Sequence, residues 1–261
     1  MLPATVTIGV FGLFHPQALE VEPWGPSRVE LHCAPQRTLE GAAHARITSD
    51  CIVTGPNNAP TDFVLSVPGR IQRHFLGTLK VTKLLTGELI AAVTMPLETA
   101  VASIIAAESP AGARPAMLEA QAIVTRSYLK VGPRHNGFDF CDTTHCQFLK
   151  DPPGLQGPAA RAARETAGRL LVYRDNVIQA FYAARCNGKL APLPEVHSAN
   201  EYPYFAVSCD YCHKHPATAP ERSNARPHHH GMCQLGANSL AQQGWTAARI
   251  LAHYYPGAEI R

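Results

Sequence analysis

Along the first third of the chain, apolar and β-branched residues come in short runs: Val6–Val10, Arg28–His32, Asp62–Val67, Phe75–Val81 and Glu88–Val93. Gly55-Pro56-Asn57-Asn58 and Pro68-Gly69 are turn signals between them. The pattern predicts a small antiparallel sheet or sandwich over residues 1–93. Met1–Phe14 has no basic residues ahead of its apolar run, so it reads as a first strand rather than a secretory leader.

The period changes at Pro96. Leu97, Val101, Ile104 and Ile105 follow helical spacing, Pro96 suits a first turn, and Pro110 stops the helix near Ser109. A second helix is predicted over Pro115–Lys130, with Leu118, Ala122, Thr125 and Leu129 on one stripe. Gly132–Gly157 is polar and irregular, and Gly168 ends a short helix that starts at Pro158. Leu170–Tyr173 and Val177–Ala183 flank Arg174-Asp175-Asn176 as a hairpin. A long loop rich in proline, histidine and cysteine then runs to about His230, and Ala237–His253 is again helical. The expected class is α+β: a β-rich region, 1–93, packed on a core of helices and a hairpin, 94–261.

Composition narrows the function classes. The chain of 261 residues is 46% hydrophobic and 16% charged, which argues against disorder. Its 22 prolines argue against a helical bundle. A net charge of +3 is too small to mark a nucleic-acid or membrane surface, so no nucleic-acid partner is expected. No run of 18 apolar residues predicts a transmembrane helix.

Three sets of residues carry candidate chemistry. Glu108 lies eleven residues beyond Leu97, so helical periodicity puts it on the same apolar face, in the last turn. Apolar walls and a helix C-terminus both oppose a carboxylate, which suits a general acid; the alternative is a terminal glutamate turned to solvent or paired with Arg114. Glu98, in the first turn, is explained by the helix dipole alone. His135, Cys141, His145 and Cys146 could together hold tetrahedral zinc, or Cys141 and Cys146 could form a disulfide or stay free. Cys186, Cys209, Cys212 and Cys233 form a second set, for a second metal or for disulfides, and Cys33 and Cys51 read as buried small residues or a pair.

Several motifs occur in a familiar order. Pro96-Leu-Glu with Ile104-Ile-Ala-Ala-Glu108-Ser-Pro110, Ala116–Tyr128, Phe140-Cys-Asp-Thr-Thr-His-Cys-Gln147, His230-Gly-Met-Cys-Gln-Leu-Gly-Ala237 and His253-Tyr-Tyr-Pro-Gly257 together resemble the SpoIID/LytB family, named for stage II sporulation protein D. The resemblance covers about residues 90–257 and implies a peptidoglycan lytic transglycosylase acting on peptide-free glycan strands. Glu108 would be its single acid/base, producing 1,6-anhydro ends on N-acetylmuramic acid. Gln121, Arg126, Gln147, His230 and Gln234 would face substrate, with fold-bracing or helix capping as the plainer roles of Gln121, Arg126, His230 and Gln234. The resemblance also favours zinc at His135, Cys141, His145 and Cys146, as a clamp on a loop bordering the cleft, and an extracytoplasmic location. A binding module that enhances a cell-wall amidase is the second reading, and a zinc-dependent hydrolase the third. Ser109 stands where a methionine is common in the family, and the segment from Cys212 to His230 is shorter than in many relatives. His228 and His229 are expected in an exposed loop.

Overall fold

The computed structural model describes residues 5–131, 135–190, 192, 202–216 and 230–261. The fold is α+β, and the chain divides into two compact units that do not follow chain order. The first contains residues 3–107 and 132–154, the second 108–131 and 155–261.

Ten strands build the first unit. They are β1 (Thr5–Val10), β2 (Leu19–Pro23), β3 (Val29–His32), β4 (Arg37–Leu39), β5 (Ala45–Ile47), β6 (Cys51–Thr54), β7 (Thr61–Val67), β8 (Ile71–Lys83), β9 (Leu89–Pro96) and β10 (Phe140–Cys141). One path runs β10-β1-β9-β8-β6-β3-β4, while β2 pairs with β5 and β7, and β7 with β8. All pairings are antiparallel except β1–β10, which is parallel.

β8 is the hinge of this arrangement. Its first half, Ile71–Gly77, pairs with β7, and its second half, from Thr78, pairs with β9 and β6. Gly77 sits at the changeover, where a Cβ would run into the Thr94 carbonyl oxygen. A glycine is therefore what lets one strand serve both layers. Alternate side chains of β8 point inward: Phe75, Leu79 and Val81 are buried with Phe63, Leu65 and Val93. β2 alternates Leu19 and Val21 inward with Glu20 and Glu22 outward, a period-two pattern outside the five runs expected from the sequence. Cys33 and Cys51 form a disulfide from just after β3 to the first residue of β6.

Helix α1 (Leu97–Glu108) follows β9, with Leu97, Val101, Ile104 and Ile105 buried. In the second unit α2 (Pro115–Lys130) is buried almost continuously from Met117 to Leu129. Apolar residues lie all round it, as in a core helix. Around it pack α3 (Pro158–Glu165), α5 (Gln234–Gln242) and α6 (Ala247–Tyr254), while α4 (Asp210–Lys214) packs on α5. The N-terminus of α2 is tied to α5, where Asn238 Oδ1 accepts from Arg114 N at 2.9 Å. The expected single helix over 237–253 is two helices. Gly244 takes a left-handed conformation, φ +84°, and Thr246 caps the next helix by accepting from Arg249 N.

The strands of this unit are short. β11 (Leu171–Tyr173) pairs with β12 (Asn176–Val177) and β17 (Glu259–Ile260); β13 (Tyr182–Ala183) pairs with β16 (Met232–Cys233), and β14 (Lys189–Leu190) with β15 (Val207–Ser208). The hairpin turn is Arg174-Asp175, both at positive φ, with Tyr173 facing Asn176. The expected strand over 177–183 is broken, because Tyr182–Ala183 leaves the hairpin to pair in parallel with Met232–Cys233. Aromatic rings fill the space nearby: Tyr202 meets Tyr173, Tyr204 and Phe205 at centroid distances of 5.2, 5.0 and 5.7 Å.

The Cys33–Cys51 bridge closes a loop of sequence separation 18. Replacing both by alanine is expected to cost about 3 kcal/mol, mainly by freeing the unfolded chain, and urea unfolding of the non-reduced protein checks it. Burial also pushes the hydroxyls of Tyr182, Tyr202, Tyr254 and Tyr255 above the ordinary tyrosine range. Groups whose folded pKa is raised stabilise fully below the unfolded value and lose that contribution as pH climbs through the folded one. The second unit should therefore stay stable up to about pH 10 and weaken above it, with tyrosinate absorbance appearing together with loss of near-UV circular dichroism.

Candidate active site

Glu108 is the last residue of α1 and is half-buried. Beside it, within the second unit, lies the Tyr182 hydroxyl. Burial raises the Tyr182 pKa most, and the Glu108 charge raises it further. The hydroxyl is buried and makes no hydrogen bond of ordinary geometry among the described residues, with Thr125 of α2 nearby. Behind it a string of amides continues: Gln121 Nε2 donates to Thr125 Oγ1 at 3.4 Å, and Gln234 Nε2 donates to Gln121 Oε1 at 3.2 Å.

The local sequence explains how these groups meet. Thr125 follows Gln121 by one turn of α2, and Gln234 opens α5 directly after β16. β16 can approach the preceding chain because Gly231 has φ +76°, and a Cβ there would run into the Phe181 carbonyl oxygen. Tyr182 is thereby held in register with Met232.

Several residues expected to face substrate are placed differently. Gln121 and Gln234 are turned inward, 0% and 2% exposed, and hydrogen-bond each other. Arg126 is fully buried as well. Its guanidinium donates to the carbonyls of Ala122, Ala163 and Arg169 and to Thr166 Oγ1, so it braces α2 against the end of α3. His230 is half-buried with its ring 6.2 Å from that of Tyr204. His228 and His229 lie outside the described residues. Tyr182 and Thr125 were not singled out from the sequence; no motif marks a tyrosine in a two-residue strand.

The first unit carries the His/Cys set. The ligand atoms of His135, Cys141, His145 and Cys146 all lie within 4.8 Å of one another. His135 Nε2 is 3.2 Å from Cys146 Sγ, and His145 Nδ1 is 3.4 Å from Cys146 Sγ and 3.7 Å from Cys141 Sγ. Nitrogen and sulfur on one tetrahedral zinc are separated by about 3.6 Å, so the donor set fits. Cys141 and Cys146 are not bridged.

This loop is tied to β1. Phe140 and Cys141 pair in parallel with Ile8 and Gly9, and Asp139 Oδ2 accepts from Thr7 N at 2.8 Å. Asp142 Oδ2 accepts from Phe11 N at 3.2 Å and pairs with Arg73 Nη1 at 2.7 Å, with both ionic side chains buried. The Arg73 guanidinium also lies over the Phe11 ring, 5.4 Å from its centre. Gln147, just beyond the loop, is 3% exposed, and neither amide atom has a hydrogen-bond partner among the described residues. The remaining cysteines, Cys186, Cys209, Cys212 and Cys233, are gathered in the second unit, all buried and unbridged.

Residues 86–173 match the family model described as SpoIID: Stage II sporulation protein. That span contains α1 with Glu108, α2 and the His/Cys loop. No curated protein matches the chain.

Asp142 is the natural place to test how the loop is held. Asp142→Ala leaves Arg73 buried without its carboxylate and should lower the stability of the first unit by about 3–5 kcal/mol in urea unfolding. Replacing both partners, Arg73→Met with Asp142→Leu, should recover much of that loss.

Proposed function

We propose, from the match of residues 86–173 to the SpoIID family model, that the protein is a peptidoglycan lytic transglycosylase with Glu108 as its acid/base. The family is tied to sporulation and to lysis of the cell wall. What supports the finer reading is one observation: a half-buried carboxyl at a helix end, set against the buried hydroxyl of Tyr182.

The reaction asks a single carboxyl to give and then take a proton. Glu108 donates to the glycosidic oxygen leaving C1 of N-acetylmuramic acid. The C6 hydroxyl of the same sugar then bonds to C1, and Glu108 accepts its proton. Atoms balance without water, the product is a 1,6-anhydro end, and no second carboxylate is required, unlike the usual paired-carboxylate glycosidase. The carbonyl end of α1 opposes the carboxylate, which suits the proton-donating half. Tyr182 lies beside Glu108 as its positioning residue, and the Gln234–Gln121–Thr125 hydrogen bonds hold α2 and α5 together behind it. Gln147 and His230 remain candidates for hydrogen bonds to the glycan.

Zinc at His135, Cys141, His145 and Cys146 belongs to the same reading. Four protein donors leave no open position for an activated water, so the ion would clamp its loop rather than attack the substrate. The Cys33–Cys51 disulfide and the family together favour an extracytoplasmic setting, where peptidoglycan lies.

Incubation with peptide-free glycan strands, followed by mass spectrometry, tests the proposal. The wild-type protein should release anhydro-muramic ends. Glu108→Gln should lower the rate about 10²–10⁴-fold with unchanged circular dichroism, and Tyr182→Phe should lower it less. Absence of anhydro ends from the wild type, where an active family member yields them, overturns the enzyme; binding to sacculi with amidase stimulation would then identify an enhancer.

A further inference from the structure

The second unit holds a cluster that the Glu108 chemistry does not use. Cys186 follows β13, Cys209 caps α4, Cys212 lies within α4, and Cys233 ends β16 and caps α5. All four are buried, and their sulfurs lie within 4.8 Å of one another.

We propose that Cys186, Cys209, Cys212 and Cys233 bind one zinc ion as four thiolates, a second metal site that staples the short elements of this unit.

The geometry separates this from disulfides. Cys212 Sγ and Cys233 Sγ are 3.5 Å apart. A disulfide requires about 2.05 Å. Two sulfurs held about 2.3 Å from one tetrahedral ion lie about 3.8 Å apart. Two separate bridges would also leave no reason for all four sulfurs to converge on one point.

The surroundings supply what thiolates need. Gly236 N donates to Cys233 Sγ at 3.4 Å, and the Tyr254 hydroxyl donates to Cys209 Sγ at 3.8 Å. N–H and O–H donors aimed at sulfur are the usual outer partners of metal-bound thiolates. Gly236 is itself required, since a Cβ there would collide with Tyr254 Oη and Cys209 Sγ.

The fold supplies the reason. β13, β14, β15 and β16 have two residues each, and α4 has five. Ladders and helices this short do not hold themselves together in water. A metal joining their ends provides the missing cohesion, because binding free energy at such a site is folding free energy. The same ion would fix β13 against β16, and with them Tyr182 and Gln234.

Metal content of the protein tests the site without reference to catalysis, so its failure and that of the Glu108 reading are distinguishable. Cys141→Ser/Cys146→Ser, which removes the first set, should keep one zinc per chain by native mass spectrometry. Cys186→Ser/Cys212→Ser should lose one zinc relative to wild type. Should that second variant not fold, cobalt exchange into Cys141→Ser/Cys146→Ser decides, with intense sulfur-to-cobalt charge transfer from an all-thiolate site as the expected result. A folded Cys141→Ser/Cys146→Ser protein without metal, iron in place of zinc, a cobalt spectrum lacking sulfur ligation, or disulfides among the four cysteines in peptide maps would each overturn the proposal.

Discussion

The parallel pairing of Tyr182–Ala183 with Met232–Cys233 is the contact on which the second unit turns. One end places Tyr182 beside Glu108; the other places Cys233 among three further cysteines and starts α5 at Gln234. Two residue pairs cannot supply much cohesion by themselves. Their register is enforced by what flanks them: Gly231, which admits the close approach to Phe181, and the Tyr255 hydroxyl, which donates to the same Phe181 carbonyl at 2.5 Å.

Polar groups on α2 show the same dependence on long-range partners. The helix buries Gln121, Thr125, Arg126 and Ser127 in addition to its apolar residues. Three of them find partners elsewhere in the unit, Gln121 in Gln234, Arg126 in carbonyls around the end of α3 and Ser127 in Leu171 N, while Thr125 accepts from Gln121 within the helix. Leaving any of them unpartnered would cost more than the hydrogen bond itself is worth, so these residues specify how α2 sits. Gln121 and Arg126 thereby brace α2 against its neighbours, the plainer of the two roles their positions allow.

The first unit solves a different problem. Its longest strands, β7, β8 and β9, carry a conventional core, and one glycine in β8 lets a single strand serve two layers. The His/Cys loop, distant in sequence, is added beside β1 through two residues of parallel ladder and the Asp139–Thr7 hydrogen bond, and to β8 through the Arg73–Asp142 ion pair. Loops rich in cysteine and histidine occur where regular structure is short, in both units, which is where cross-linking contributes most.

Local order was readable from the chain. The periods of α1 and α2, the turn at Arg174-Asp175, and the spacing of His135, Cys141, His145 and Cys146 are short-range properties, and the structure shows the helices, the hairpin and the converging donor atoms. Placing Glu108 at the end of an apolar helix face needed only geometry of 100° per residue. What tertiary structure alone decided is which distant segments meet. The return of residues 132–154 to the first unit, the change of partner at Gly77, the break at Gly244, the burial of Gln121 and Gln234, and Tyr182 against Glu108 are not periodic features. They arise because buried polar groups and short strands must find partners across long loops, and sequence spacing carries no record of which partner will be nearest.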